Sequence, residues 1–278
     1  MDEETIDNRT FGNIFHKASE NLYKKMRHSD MMILPEDIEN MLKSPQDIER
    51  AVDEAFKTEV FDKRQMQSSE LNGLQLINRE VVIHYIKRLL KIDQQLAPFY
   101  VLGLEEKVDG EMDINTSAGH MTIKMGGIID RLDMIWDQET GTQRIRVVDY
   151  KTGSKALKTR INSVVEIFEQ PIVPKKHADY YLQTMLYSLF VQHDEKHNSA
   201  HLPVAPALLF IQHSGGDDYD PILSLGKEKI MDISRYEETF RNGIIKVLTE
   251  IFEPSVPFQP TADRAICATC PYRQFCGL

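Results

Sequence analysis

The chain opens on a helical period. In "TFGNIFHKASENLYKKM" the apolar residues Phe11, Ile14, Phe15, Ala18 and Leu22 recur every three or four positions, with Thr10 as the expected N-cap. "SPQDIERAVDEAFKTEVF" carries a second helix signature: Ser44, Pro45 at the first helical position, and Asp47 three residues after the cap, a variant of the capping box. "NREVVIHYIKRLLKIDQQL" follows with Val82, Ile83, Ile86, Leu89 and Leu90 on one side. At "PFYVLGLEEKV" the period changes from helix to strand. Three further strands are expected in "HMTIKM", "GIIDRLDMIW" and "RIRVVDY", separated by acidic and glycine-bearing turns such as "DQETGTQ". A helix over "HADYYLQTMLYSLFVQH" and a buried strand over "PALLFIQH" come next. The last helix expected is "SRYEETFRNGIIKVLTEIF", with Ser234 and Glu237 as its capping box.

Helices, then a strand cluster, then helix, strand and helix predict an α/β fold with a mixed central sheet flanked by helices. The expectation is one domain over 1–278. The helices between about 34 and 77 read as an insertion, and the Pro-rich tail over about 254–278 reads as irregular. There is no internal repeat and no low-complexity segment.

Composition changes this picture little: 41% hydrophobic and 27% charged residues describe an ordinary globular chain. No apolar run approaches the ~18 residues that a membrane-spanning helix needs. The N-terminal "MDEETIDNRT" has the character of neither a signal nor a transit peptide, so the expected location is cytoplasmic. A net charge of −10 argues against binding nucleic acid through overall charge. It leaves room for a metal-dependent nuclease, whose centre needs clustered carboxylates and whose basic track can be local. "KTGSKALKTR" (Lys151, Lys155, Lys158, Arg160) and "PKKH" (Lys175, Lys176) are either such stretches or solvated loops.

Four features carry the candidate chemistry. His16 lies four residues after Gly12 beside the apolar face of the first helix, either a structural histidine or a ligand. Glu105 and Glu106 end the strand "YVLGLEE", where solvation is the ordinary reason for an acid. Asp130 sits inside an apolar strand after Ile128 and Ile129, where a carboxylate is costly unless it is paired or coordinates a metal. Asp149 and Lys151 in "VVDYKTG" stand at i and i+2 of a strand and so share one face. They form either a surface ion pair or half of an active site. Two or three carboxylates from neighbouring strands suit Mg²⁺, which takes hard oxygen ligands in near-octahedral geometry, and a histidine can complete the shell. A lysine beside it can orient the attacking water and offset charge on a phosphate.

The series Gly12 with His16, Glu105, "GIIDRLD", "VVDYKTG" and "YLQTMLY" resembles the motif series of the RecB-type branch of the PD-(D/E)XK nucleases, which includes AddB and the CRISPR-associated adaptation exonucleases. The resemblance runs from about Phe11 to the end. It implies a restriction-endonuclease-like fold and a metal-dependent deoxyribonuclease using Mg²⁺ or Mn²⁺. It implies His16, Asp130, Asp149 and the backbone carbonyl of Tyr150 as metal ligands, Lys151 as the catalytic lysine, and Glu105 as a further catalytic residue acting directly or through water, with Glu106 as substitute. Gln183 and Tyr187, at i and i+4 of one helix, would line the site and touch DNA, with core packing the competing reading for Tyr187.

Cys267, Cys270 and Cys276 are the chain's only cysteines; three of them so tightly spaced point to metal or cluster ligation rather than a disulfide framework. "CATCPYRQFC" has the C-x2-C-x5-C spacing that holds a [4Fe–4S] cluster in AddB-like relatives, but such a cluster takes four thiolates. The family's fourth cysteine lies upstream of the first helix, where only ten residues precede Phe11. The expectation is a fragment cut just after that ligand, with the cluster absent or incomplete; loss of the cluster in this lineage and a zinc site are the alternatives. The implied role is the nuclease end of a helicase–nuclease in double-strand-break repair, with DNA and a helicase subunit as partners and no membrane. The chain has no G-x-x-x-x-G-K-[ST] loop of its own. The other readings are a stand-alone adaptation exonuclease and a non-catalytic DNA-end-binding module of the same fold.

Overall fold

The computed structural model describes residues 6–62, 71–136, 141–153, 161–169, 178–214, 219–259, 261, 264–268 and 270–277. Among these, α1 (Asn8–Met26), β1 (Met32–Ile33), α2 (Pro35–Lys43), α3 (Pro45–Phe56) and α4 (Gly73–Gln94) come first. Strands β2 (Phe99–Thr116), β3 (Gly119–Trp136) and β4 (Gln143–Lys151) follow, then α5 (Ala178–His193), the one-turn α6 (Glu195–Asn198) and β5 (Val204–Phe210). A small hairpin of β6 (Ser224–Leu225) and β7 (Glu228–Lys229), α7 (Glu237–Phe252) and the one-turn α8 (Arg264–Cys267) complete the order.

The main sheet runs β1-β2-β3-β4-β5. Its first four strands are antiparallel neighbours and β5 joins β4 in parallel, so the sheet is mixed, as the element order predicts. Alternate residues of β4 and β5 feed two cores. Val148, Tyr150, Ala207 and Leu209 pack with α1 to α4, while Ile145, Val147, Leu208 and Phe210 pack with α5 and α7. Every residue of β5 is buried, the pattern of a strand covered on both faces. Helices α2 and α3 add Ile38, Met41, Ile48 and Val52 to the first of these cores.

Several local expectations are corrected. The cap of α1 is Asp7, whose carboxylate accepts the Thr10 N–H at 2.7 Å; Thr10 already lies inside the first turn. Ser44 precedes α3, but its hydroxyl binds the Asp47 carboxylate at 3.0 Å instead of a backbone N–H, so the capping box does not form there. Asn72 and Gln75 do make one, starting α4 before the apolar run. Ser234 lies in a 3₁₀ turn capped by Asp232, and Glu237, the first residue of α7, turns its carboxylate to His193 and Arg241. Strand β5 stops at Phe210, with Ile211–His213 a 3₁₀ turn. The tail is not wholly irregular: it holds α8 and a 3₁₀ turn over Arg273–Cys276.

"HMTIKM" and "GIIDRLDMIW" form one strand, because Gly126 and Gly127 are needed for close approach rather than for a turn. A Cβ on Gly126 would lie 2.5 Å from the Val108 carbonyl oxygen, and one on Gly127 would lie 1.9 Å from the Tyr187 hydroxyl. Glu105 and Glu106 accordingly lie in the middle of an 18-residue strand, not at its end.

Candidate metal centre

Four elements bring side chains together. The apolar face of α1 (Ile14, Phe15, Ala18 and Leu22, all buried) fixes the helix against the sheet and leaves His16 at the border of that face. Its imidazole meets the rings of Phe15 and Tyr150 edge-on, with centroids 6.2 and 5.8 Å apart. On β2 the register slips between Val101 and Gly103, and Glu105 adopts φ +50°, the left-handed region that a non-glycine residue enters at a cost. A bulged, strained strand of this kind re-aims its side chains, here toward His16 and Asp130.

Strands β3 and β4 supply the rest. Their ladder ends at the Arg131–Val148 pair. The Tyr150 N–H donates instead to Asp130 Oδ2, at 2.6 Å, so a carboxylate takes the place of a backbone partner and is itself held in place. Asp130 Oδ1 faces His16 Nδ1 at 3.2 Å, and Glu105 Oε1 lies 3.8 Å from the same nitrogen. One ligand atom from each of His16, Glu105 and Asp130 lies within 4.8 Å of the others; among the described residues no other such trio exists. Asp149 and Lys151 do share a face: Lys151 Nζ stands 2.6 Å from Asp149 Oδ2 and 4.6 Å from the centre of the Tyr180 ring on α5.

The electrostatics are those of crowded acids short of positive charge. Burial, then the charge of Asp130, pushes the Glu105 carboxyl up to about 7. Burial and Asp130 likewise raise Asp149 to about 6, against the pull of Lys151. Burial lowers the His16 imidazole, but Asp130, with Glu105 and Asp149 behind it, more than reverses this, and its pKa ends above the ordinary value. Protons stand in here for a cation. Carboxylate oxygens with one imidazole, and no thiol, make a donor set that fits Mg²⁺ or Mn²⁺.

A stability prediction follows from these shifts. In the metal-free protein Glu105 and Asp149 bind protons more tightly folded than unfolded, so stability falls as pH rises through their ordinary values toward 6 and 7. A cation that replaces those protons restores it. The melting temperature in Mg²⁺ should therefore exceed that in EDTA by little near pH 5 and by clearly more near pH 8, read by scanning calorimetry. A gap independent of pH would show that the cation binds elsewhere.

Glu106 is not part of the cluster: its carboxylate is taken by Lys196 and by His197 Nε2, the latter at 3.1 Å. Gln183 and Tyr187 lie half-buried on α5, and Tyr187 rests on Gly127 of β3. Cys267 and Cys270 are half-buried and Cys276 exposed, and three thiols fall one short of what a [4Fe–4S] cluster takes. Lys155, Lys158, Arg160, Lys175 and Lys176 lie outside the described residues. Sequence reasoning missed Tyr180, which faces Lys151, and the ring of Tyr150, which backs His16. It also missed the buried charges behind them: Arg131 pairs with Asp93 and Asp133, and Arg146 with Asp133. The only signal available was an arginine inside an apolar strand, beside the more conspicuous Asp130.

No described helix is long and apolar enough to cross a membrane. The family model for the PD-(D/E)XK nuclease superfamily matches residues 2–277. No curated protein matches the chain.

Proposed function

Since the chain belongs to the PD-(D/E)XK nuclease superfamily, a family of divalent-metal-dependent nucleases that act on DNA, we propose that it is itself such a deoxyribonuclease, an exonuclease of the RecB/AddB-like branch. The observation that carries this reading is the convergence of His16, Glu105 and Asp130 beside the Asp149–Lys151 pair.

In this reading His16, Asp130, Asp149 and the Tyr150 carbonyl hold the cation, with Glu105 joining directly or through water. Bound there, a divalent cation supplies a more acidic water and neutralises phosphate charge. The chain's own groups do the rest. The Tyr150 N–H fixes Asp130, and the Lys151 ammonium beside Asp149 favours its ionised form, the form that would hold a cation. Lys151, held between Asp149 and the Tyr180 ring, directs its ammonium at the attacking water and at the charge that grows on the scissile phosphate. Gln183 and Tyr187, on the same helix as Tyr180, would touch the DNA strand. The AddB-like assignment rests on the motif order and on the spacing of Cys267, Cys270 and Cys276, which would give three of the four thiolates of a cluster. A cytoplasmic place in double-strand-break processing beside a helicase belongs to the same proposal.

The test follows end-labelled linear single- and double-stranded DNA with Mg²⁺, Mn²⁺ or EDTA. Degradation with either metal and none in EDTA is expected, with mononucleotide or short products marking an exonuclease. Intact DNA in every metal would sink the reading.

A further inference from the structure

The outward face of α4 presents His84, Lys87, Arg88 and Lys91 at helical spacing. Between Val81 and Pro98 the only acidic residue is Asp93, and it is turned fully inward against Arg131. A chain of net charge −10 thus keeps the stretch of this face from His84 to Lys91 cationic; the exposed acid one turn before it, Glu80, is paired with Arg79 at 2.8 Å. That face lines a cleft of about 710 Å³. The cleft shares Ile92, Gln95 and Tyr219 with a second one of about 600 Å³, whose walls include Arg144, Lys227 and Trp136. Among the described residues two acids reach the second wall, and both are engaged: Asp220 by Lys229 at 2.6 Å, Glu228 by Tyr236. Trp136 is the chain's single tryptophan and is 51% exposed, an unusual place for so large an apolar ring.

The near end of this groove is tied to the candidate centre. Arg88 Nη1 donates to the carbonyls of Ile211 and Gln212, at 3.0 and 2.9 Å. Gln212 Nε2 in turn donates, at 2.8 Å, to the carbonyl of Thr152, the residue after Lys151. From His84 to Gln95 the helix covers about 16 Å at its rise of 1.5 Å per residue. A row of cations leading from the centre to an exposed aromatic ring matches the way single strands are held: phosphates track the charges and an unpaired base stacks on the ring. A duplex keeps every base face but those of its terminal pairs covered and has none to offer Trp136 along its length.

We propose that this groove is a track for single-stranded DNA, running from the metal centre along α4 to Trp136; only its choice of substrate rests on the nuclease reading. The test is a titration in EDTA with a thymidine oligonucleotide of about 20 residues, read by the emission of Trp136 and by the anisotropy of an end-labelled copy. Saturable quenching is expected, with affinity falling steeply with salt, by about 0.7 in the logarithmic slope for each phosphate contact. Lys87→Glu with Lys91→Glu, checked for folding by circular dichroism, should weaken binding by tenfold or more and make that slope shallower by about 1.4. Trp136→Ala should weaken it about five- to a hundredfold, with Trp136→Phe restoring most of the loss. Unchanged affinity and slope in these variants would overturn the track, as would equal quenching by a duplex of matching length. Because binding is read without metal, the two readings fail separately. An oligonucleotide bound along the groove but never cleaved with Mg²⁺ or Mn²⁺ sinks the nuclease; cleavage with variant-independent binding sinks the track.

Discussion

Asp130→Asn lowers metal-dependent DNA cleavage by about 10²-fold or more, and it also removes the rise in melting temperature that Mg²⁺ gives; Lys151→Ala lowers cleavage by a similar factor and keeps that rise. The difference follows from what each group touches. Asparagine retains an oxygen for the Tyr150 N–H, so the strand end keeps its shape, but it takes a full negative charge away from the ligand cluster. Lys151 lies outside the trio of candidate ligands, and its loss leaves those donors in place. It does remove the charge that holds the Asp149 carboxyl down, so the remaining activity of Lys151→Ala should have its acid limb shifted to higher pH. End-labelled DNA and scanning calorimetry on the same two preparations check both halves. A Lys151→Ala chain that cuts at the unmutated rate would take Lys151 out of the reaction.

The largest loss of stability is expected at Arg131→Met, about 3–5 kcal/mol by urea denaturation. Arg131, Asp93 and Asp133 are fully buried. The Arg131 guanidinium joins the two carboxylates and lies 5.0 Å from the centre of the Tyr23 ring, 5.6 Å from Phe99 and 5.7 Å from Tyr150. Asp133 keeps two hydrogen bonds from Arg146, at 2.9 and 2.8 Å, when Arg131 is gone. Among the described residues Asp93 keeps the Tyr23 hydroxyl as its side-chain partner, fully buried. Replacing both partners, Asp93→Leu with Arg131→Met, should recover much of the loss, because no uncompensated charge stays behind. Equal losses in the single and double variants would mean that packing, not charge, is what Arg131 contributes.

The groups of the site were legible because each is a chemical anomaly: Asp130 and Asp149 in apolar strands, a lysine two residues past an acid, a histidine beside an apolar stripe. The mixed sheet was legible from the change of period along the chain. What the sequence concealed depends on distant neighbours. Gly126 and Gly127 look like a turn until Val108 and Tyr187 are set against them. The bulge before Glu105 breaks the alternation that would have carried the strand on to Thr116. Tyr180 is one aromatic among several in its helix, and only the return of α5 over β4 sets it against Lys151. Asp7 outdid Thr10 as a cap because the helix begins one turn before its apolar stripe does.

The candidate centre draws on α1, β2, β3 and β4, from His16 to Lys151, and β4 is clasped in parallel by β5, which begins only at Val204. Contacts so far apart in sequence close late and slowly. A growing chain therefore has every candidate ligand in hand by Lys151 but lacks the strand that clasps β4 until Val204–Phe210 has been made.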